Sequence, residues 1–179
     1  MAVTPTGIIS LPLHYLRLTV AGSSSFQTWV GAEDAAGALA YVFGEEVEWG
    51  SDTAAADKLG PFAYVAWAEN WARERYGVGD HNLFAQRGDL TLAFRAPIAA
   101  AYQNAQDGSD YTGLDAATAF GNTVGAIIAE MEVLAGTAGY LDIATIAMDG
   151  TPERATNDEA DSVGHYYQVS FTISWGEGG

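Results

Sequence analysis

The stretch Asp115–Ala135, DAATAFGNTVGAIIAEMEVLA, decides the fold class that this sequence predicts. Asp115 is suited to cap the start of a helix, and the glycines at 136 and 139 end the pattern. Large apolar residues recur between them at spacings of 4, 3, 4 and 3, namely at Phe120, Val124, Ile127, Met131 and Leu134. This periodicity predicts a helix with one buried face. At ~1.5 Å per residue, the helix is about 30 Å long and can cross a sheet of four strands.

Strand patterns lie on both sides of this helix. The clearest is His165–Trp175, in which apolar and polar residues alternate along the whole segment. Further strands are predicted at Ala38–Phe43, Phe62–Ala68 with its continuation Trp71–Tyr76, Asp89–Ala96 and Tyr140–Met148. Strands grouped around a long helix predict an α+β fold. We expect an antiparallel or mixed sheet of four to five strands with the long helix packed on one face.

The rest of the chain predicts short or irregular structure around this frame. A short N-terminal helix is expected over Leu11–Val20, with Pro12 in its first turn. We expect one domain spanning 1–179, with flexible ends at 1–10 and 176–179 and loops at 44–60, 77–88 and 149–164. One long helix cannot cover both faces of a sheet. The second face therefore needs the N-terminal segment, the loops or another subunit.

Charge and composition exclude several classes of protein. The chain has 179 residues, 23 of them acidic and only 7 basic, so its net charge is −16. A surface this acidic repels a phosphate backbone, which argues against specific DNA binding. The absence of cysteine excludes disulfides and zinc–thiolate sites. The apolar runs are shorter than a bilayer requires, and no signal peptide is recognisable, so we expect a protein without membrane contact.

No catalytic or metal-binding pattern stands out. There is no G-x-S-x-G motif, and the three histidines lie in ordinary contexts. The acidic group at 157–161 lacks the spacing and the glycine of a calcium loop. We therefore predict a protein that is not an enzyme and has no catalytic residue, bound metal or cofactor.

The scarcity of basic residues singles out a small set of candidate interface positions. Arginine is enriched at the energetic centres of protein interfaces. We predict that Arg73, Arg75 and Arg95 form ion pairs at a subunit interface, with Glu130 and Glu132 as their counterparts. The two glutamates lie near the C-terminus of the long helix, where a negative charge opposes the helix dipole. We expect them to be solvated or paired with an arginine from elsewhere.

Several segments resemble the tail-completion proteins of long-tailed bacteriophages. The segment LRLTVAGSSSFQTWVG at 16–31 is similar to the start of these proteins, and GPFAYVAWAENW at 60–71 resembles the strand after their variable loop. The segment LTLAFRA at 90–96 precedes the long helix, as in that family. Finally, YLDIATIAMDGTPERA at 140–155 and YYQVSFTISW at 166–175 resemble its last two strands, which are joined by a polar hairpin.

The resemblance implies a tail terminator, a structural virion protein without catalytic residues. Such proteins form a ring, commonly a hexamer, that caps the head-proximal end of the tail tube, stops its polymerisation and joins it to the head connector. DNA passes through the lumen without specific binding, and assembly takes place in the cytoplasm of the host bacterium. A different head–tail joining ring, such as a head-completion or connector protein, is an alternative. A small monomeric adaptor and a small hydrolase are further alternatives.

Overall fold

The computed structural model of this protein describes residues 4–44, 61–67, 72–76, 83–97, 114–157 and 164–176. The described residues form four α-helices: Gly7–Gly22 (α1), Ser24–Val30 (α2), Ala35–Ala38 (α3) and Leu114–Leu134 (α4). A 3-10 turn at Leu39–Tyr41 follows α3. They also form six strands: Val42–Gly44 (β1), Phe62–Trp67 (β2), Ala72–Tyr76 (β3), Leu83–Pro97 (β4), Ile143–Asn157 (β5) and Gly164–Gly176 (β6).

All six strands belong to one mixed sheet. Its order is β1-β2-β4-β6-β5, and β3 lies beside β2 along the same edge of β4. The pair β1–β2 is parallel and every other pair is antiparallel. The long strand β4 therefore lies between β6 on one edge and two shorter strands on the other. Its first part pairs with β3 and its second part with β2. The predicted α+β class is confirmed.

A single apolar cluster joins the helices to one face of the sheet. The buried side chains of α4 recur at the predicted spacings of three and four residues. Those of β2 and β6 occupy every second position of each strand. Its buried members include Leu16, Val20, Phe26, Phe120, Val124, Ile127 and Met131 from the helices and Ala63, Val65, Val169, Phe171, Ile173 and Trp175 from the strands. In the described part of the chain, α1, α2 and α4 thus cover the same face.

The predicted number of elements is wrong in two respects. The sheet has six strands and not four to five, because Ala72–Tyr76 is a separate strand that pairs with the start of β4. The N-terminal helix has 16 residues, so α4 is not the only long helix. It begins at Gly7, where the Ser10 hydroxyl accepts a hydrogen bond from the Thr6 amide. Pro12 is therefore the sixth residue of α1 and lies inside the helix, and not in its first turn as predicted.

Two predicted loops and both predicted flexible ends are partly ordered. β4 begins at Leu83, inside the predicted loop 77–88, and β5 continues to Asn157, inside the predicted loop 149–164. These polar segments are strands because distant partners, β3 and β6, complete their hydrogen bonds. Helix α1 begins within the predicted end 1–10, and β6 includes the first residue of the predicted end 176–179. The stretches 45–60, 77–82 and 158–163 lie outside the described residues.

The predicted strand Ala38–Phe43 is mostly helical. Asp34 caps α3, since its carboxylate accepts a hydrogen bond of 2.7 Å from the Gly37 amide. The alanine-rich sequence after this cap favours helix, and only Val42–Gly44 remains as a strand. Arg17 of α1 fixes the position of this strand, because its Nη2 donates to the Val42 carbonyl at 2.9 Å.

Candidate functional site

The Glu130 carboxylate accepts four hydrogen bonds from three consecutive serines. The hydroxyl of Ser23 and the amide of Ser25 donate to Oε2 at 2.7 and 3.0 Å. The hydroxyls of Ser24 and Ser25 donate to Oε1 at 3.0 and 2.7 Å. We call Ser23, Ser24, Ser25 and Glu130 the serine clamp. It ties the end of α4 to the start of α2, across more than one hundred residues of sequence.

The serine clamp places the glutamate charge where two helix dipoles meet. Glu130 lies in the last turns of α4, where its charge opposes that helix's own dipole. Its carboxylate also lies at the N-terminus of α2, whose first amides lack partners within the helix. The N-terminus of α2 stabilises a negative charge. This interaction offsets the unfavourable one between Glu130 and the dipole of α4. Ser23 completes the cap by accepting from the Phe26 amide at 3.1 Å.

These contacts keep Glu130 ionised to low pH. Burial of the carboxylate raises its pKa, but the hydrogen bonds from the backbone and hydroxyl of Ser25 and from Ser23 and Ser24 lower it more. The net result is a pKa of about 2, against an ordinary value of 4.5. The clamp is therefore a fixed structural anion at neutral pH, and a general acid or base working at that pH needs a pKa much closer to 7.

Two further contacts near the clamp join α1 to the turn after α4. The buried Thr19 hydroxyl accepts from the Leu141 amide at 3.0 Å and donates to the Tyr15 carbonyl at 2.8 Å. Gly22 ends α1 so close to Tyr140 that a β-carbon there would lie 2.7 Å from the ring. The N-terminal helices are thus held to the chain around α4 by polar contacts as well as by the core.

Replacing Gly22 by alanine is expected to lower the free energy of unfolding by about 1 kcal/mol, because the added methyl group must displace the Tyr140 ring. The matched control is Gly125→Ala in α4, where the added carbon meets no atom within 4 Å. That variant is expected to be more stable than the native protein by up to about 1 kcal/mol. Urea unfolding of both variants measures the difference. Equal effects of the two substitutions would contradict the close approach at Gly22.

The three predicted interface arginines do not form one cluster. Arg73 and Arg75 lie in β3, opposite Gln86 and Phe84 of β4. Arg95 lies near the other end of β4, between Phe62 and Gln168 in the strand register. In β6, Trp175 pairs with the Arg73 row and Gln168 with the Arg95 row, so the two rows are seven residues apart, about 24 Å at ~3.4 Å per residue. A single contact with a neighbouring subunit cannot centre on all three.

The two predicted glutamates have different environments. Glu130 is partly exposed, and its carboxylate accepts hydrogen bonds from the serines of the clamp. Glu132 is exposed on the far side of α4. The proposed interface role of these residues stays a prediction. The sequence does contain a signal for the clamp, because Ser23–Ser25 follow a helix-breaking glycine and Glu130 has no basic neighbour on its helix. It does not show which acid the serines bind.

The face of the sheet opposite the helices is the other candidate surface. In β2 and β6, its side chains are half-buried and uncharged and come from alternate positions: Phe62, Tyr64, Ala66, Gln168, Ser170, Thr172 and Ser174. We call this surface the outer face. Asp149 of β5 lies at its margin, where its carboxylate accepts a hydrogen bond from the Thr172 hydroxyl. In the described part of the chain, no helix packs on this face.

Comparison with known proteins adds no family assignment. No protein-family model matches the chain, and no curated protein matches it. Among the described residues, no three histidine, aspartate or glutamate side chains are grouped so that they could hold a metal ion. No described helix combines the length and the hydropathy needed to cross a membrane.

Proposed function

We propose that this protein is a structural component of a bacteriophage tail, a terminator that forms a ring on the head-proximal end of the tail tube. The observation that carries the proposal is the outer face. A broad sheet face whose half-buried side chains in β2 and β6 are uncharged, in a chain of net charge −16, is suited to contact neighbouring subunits. An acidic exterior suits the lumen, because DNA passes a wall of like charge without adhering.

The arrangement of the strands also supports the proposal. The resemblance to tail-completion proteins implies a strand before the long helix and a terminal pair of strands joined by a hairpin. β4 precedes α4, and β5 pairs with β6 along most of its length. A β-bulge between Asp149 and Glu153, with Gly150 at φ 76°, lets this pair bend. A long bent hairpin is suited to reach an adjacent ring.

The experiment is to add the purified protein to polymerising tail-tube protein of the same phage and to image the products by electron microscopy. We expect tubes of limited length with a ring of cyclic symmetry at one end. Tubes whose length is unchanged at saturating protein would contradict the proposal. Binding to the head connector without any effect on the tube would favour a different head–tail joining ring.

A further inference from the structure

Strand β5 is an edge strand of the sheet that the described residues form. It ends the strand order, and in the described part of the chain it pairs only with β6. The register between these two strands is irregular from Ile143 to Thr145 and again from Asp149 to Glu153. The regular segment between the two irregularities is Thr145–Asp149, which we call the free edge. The backbone groups on its outer side are a template for a further strand.

The free edge has an apolar side that the described helices leave uncovered. Directly opposed residues of neighbouring strands share one face of a sheet. Ile146 lies opposite Ile173, and Met148 lies opposite Phe171, so both belong to the side on which the core is built. Met148 is nevertheless 54% exposed, and Ile146 is only half-buried. The described helix layer therefore ends before this edge, which leaves room for a second sheet to continue the first.

The side chains of the free edge are complementary to those of a second copy. An antiparallel pair of two free edges that is centred on Ala147 places Ile146 of each copy opposite Met148 of the other. Thr145 of each copy then lies opposite Asp149 of the other, so a hydroxyl meets a carboxylate. This register pairs the whole regular segment. Any other register that keeps the two apolar sides together pairs fewer of its residues.

We propose that two copies of this chain pair in solution through their free edges, about a two-fold axis at Ala147, and form one continuous sheet. The inference goes beyond the proposed function, because it concerns the free protein and the edge of the sheet instead of its outer face. Each copy supplies the strand that the other lacks. Pairing also closes an edge that is otherwise open to aggregation.

Two features of the free edge favour a second copy over an unrelated strand. Two copies cover two edges and two exposed Met148 side chains in one contact, whereas an unrelated strand covers one of each. The charge of the exposed Asp149 also meets a neutral donor, Thr145, and not a like charge. Asp149 already accepts a hydrogen bond from the Thr172 hydroxyl, and a carboxylate can accept several such bonds.

The test is the molar mass of the full chain by light scattering across a concentration series, at low and at high ionic strength. At high concentration the native protein is expected near twice the chain mass of 18.8 kDa. Each chain has a net charge of −16, so salt screens the repulsion between copies and is expected to tighten the dimer. An interface held by ion pairs would show the opposite dependence.

Substitutions at Ala147 test the position of the two-fold axis. Ala147 is exposed and lies opposite Ala147 of the second copy, so Ala147→Lys and Ala147→Glu each place like charges opposite one another. Each variant alone is expected to raise the dissociation constant at least about tenfold. An equimolar mixture of the two variants places lysine opposite glutamate and is expected to restore the dimer.

Met148→Asp tests the apolar side of the same edge and is also expected to weaken the dimer at least about tenfold, because each dimer contains two contacts between Ile146 and Met148. The matched control is Val133→Asp on α4, which changes the other large apolar side chain exposed in the described residues. It is expected to leave the dimer intact.

Circular dichroism of each variant verifies that it is folded. A native protein that stays monomeric at the highest concentration, a native oligomer that Met148→Asp does not weaken, or a folded mixture of the two Ala147 variants that stays monomeric would each overturn the inference. None of these measurements uses the tail tube, so the inference and the proposed function can fail separately.

Discussion

Replacing Phe120 by alanine is expected to lower the free energy of unfolding by about 3–5 kcal/mol. Phe120 is the first large residue of the buried seam of α4 and is 2% exposed. Its ring lies 6.2 Å from the ring of Trp29 in α2, so it joins the two helices as well as filling the core. Truncation removes this contact and leaves a cavity. A loss of this size is a large part of the stability of an ordinary domain.

Chemical denaturation monitored by circular dichroism measures this loss. The matched control is Val133→Ala on the same helix, because Val133 is 79% exposed. Its effect is expected to lie within about 0.5 kcal/mol of zero. A loss below about 1 kcal/mol for Phe120→Ala would show that α4 does not pack on α2 and the sheet as described.

Replacing Glu130 by alanine is expected to cost about 2 kcal/mol of unfolding free energy. The substitution removes four hydrogen bonds to a charged group and leaves the hydroxyl of the buried Ser23 without its acceptor. The partial exposure of the carboxylate keeps the loss below the sum of four such bonds. The control Glu132→Ala changes the same residue type on the exposed side of α4 and is expected to be nearly neutral.

The serine clamp also predicts a dependence of stability on pH. Glu130 has a folded pKa of about 2 and an ordinary value of 4.5. Since the folded value is the lower one, the stabilisation is complete above pH 4.5 and is lost as the pH falls from 4.5 towards 2. The stability difference between the native protein and Glu130→Gln is therefore expected to shrink over that range. Unfolding curves at several pH values measure it, and a constant difference would contradict the clamp.

The hydrogen bonds of Glu130 determine which predicted interface residues can be mutated in an assembly assay. A carboxylate already bound by three serines has little capacity left for an arginine of another subunit. Charge reversal at Glu130 would destabilise the subunit. A loss of assembly in that variant could then reflect unfolding instead of a lost interface contact. Glu132 remains suitable for such an assay, because it is exposed and lies outside the clamp. Mutational tests of Arg73, Arg75 and Arg95 should treat Arg95 separately, since it lies far along β4 from the other two.

Periodicity in the sequence predicted those elements in which the apolar pattern runs along the whole helix or strand. The predicted seam of α4 comprises Phe120, Val124, Ile127, Met131 and Leu134; the first four are buried and Leu134 is half-buried. The alternation in β6 predicts one apolar face of Tyr167, Val169, Phe171, Ile173 and Trp175; the last four are buried, and the side chain of Tyr167 lies outside the described part. In both cases the apolar side chains themselves specify which face is buried.

Long-range pairing accounts for most of the errors. The first part of β4 and the second part of β5 are polar and contain Gly88, Gly150 and Pro152, which are typical of loops. They are strands because β3 and β6 satisfy their backbone groups from elsewhere in the chain. A window of local sequence contains no information about these partners, so the predicted loops were too long.

The sequence by itself determined the α+β class, the buried faces of α4 and β6 and the large negative charge. Only the tertiary structure decided that Ser23, Ser24 and Ser25 bind Glu130 and that Arg95 is remote from Arg73 and Arg75. The physical reason is that burial patterns are recorded in the spacing of neighbouring residues. Ion pairing and strand register depend on groups brought together by the folded chain.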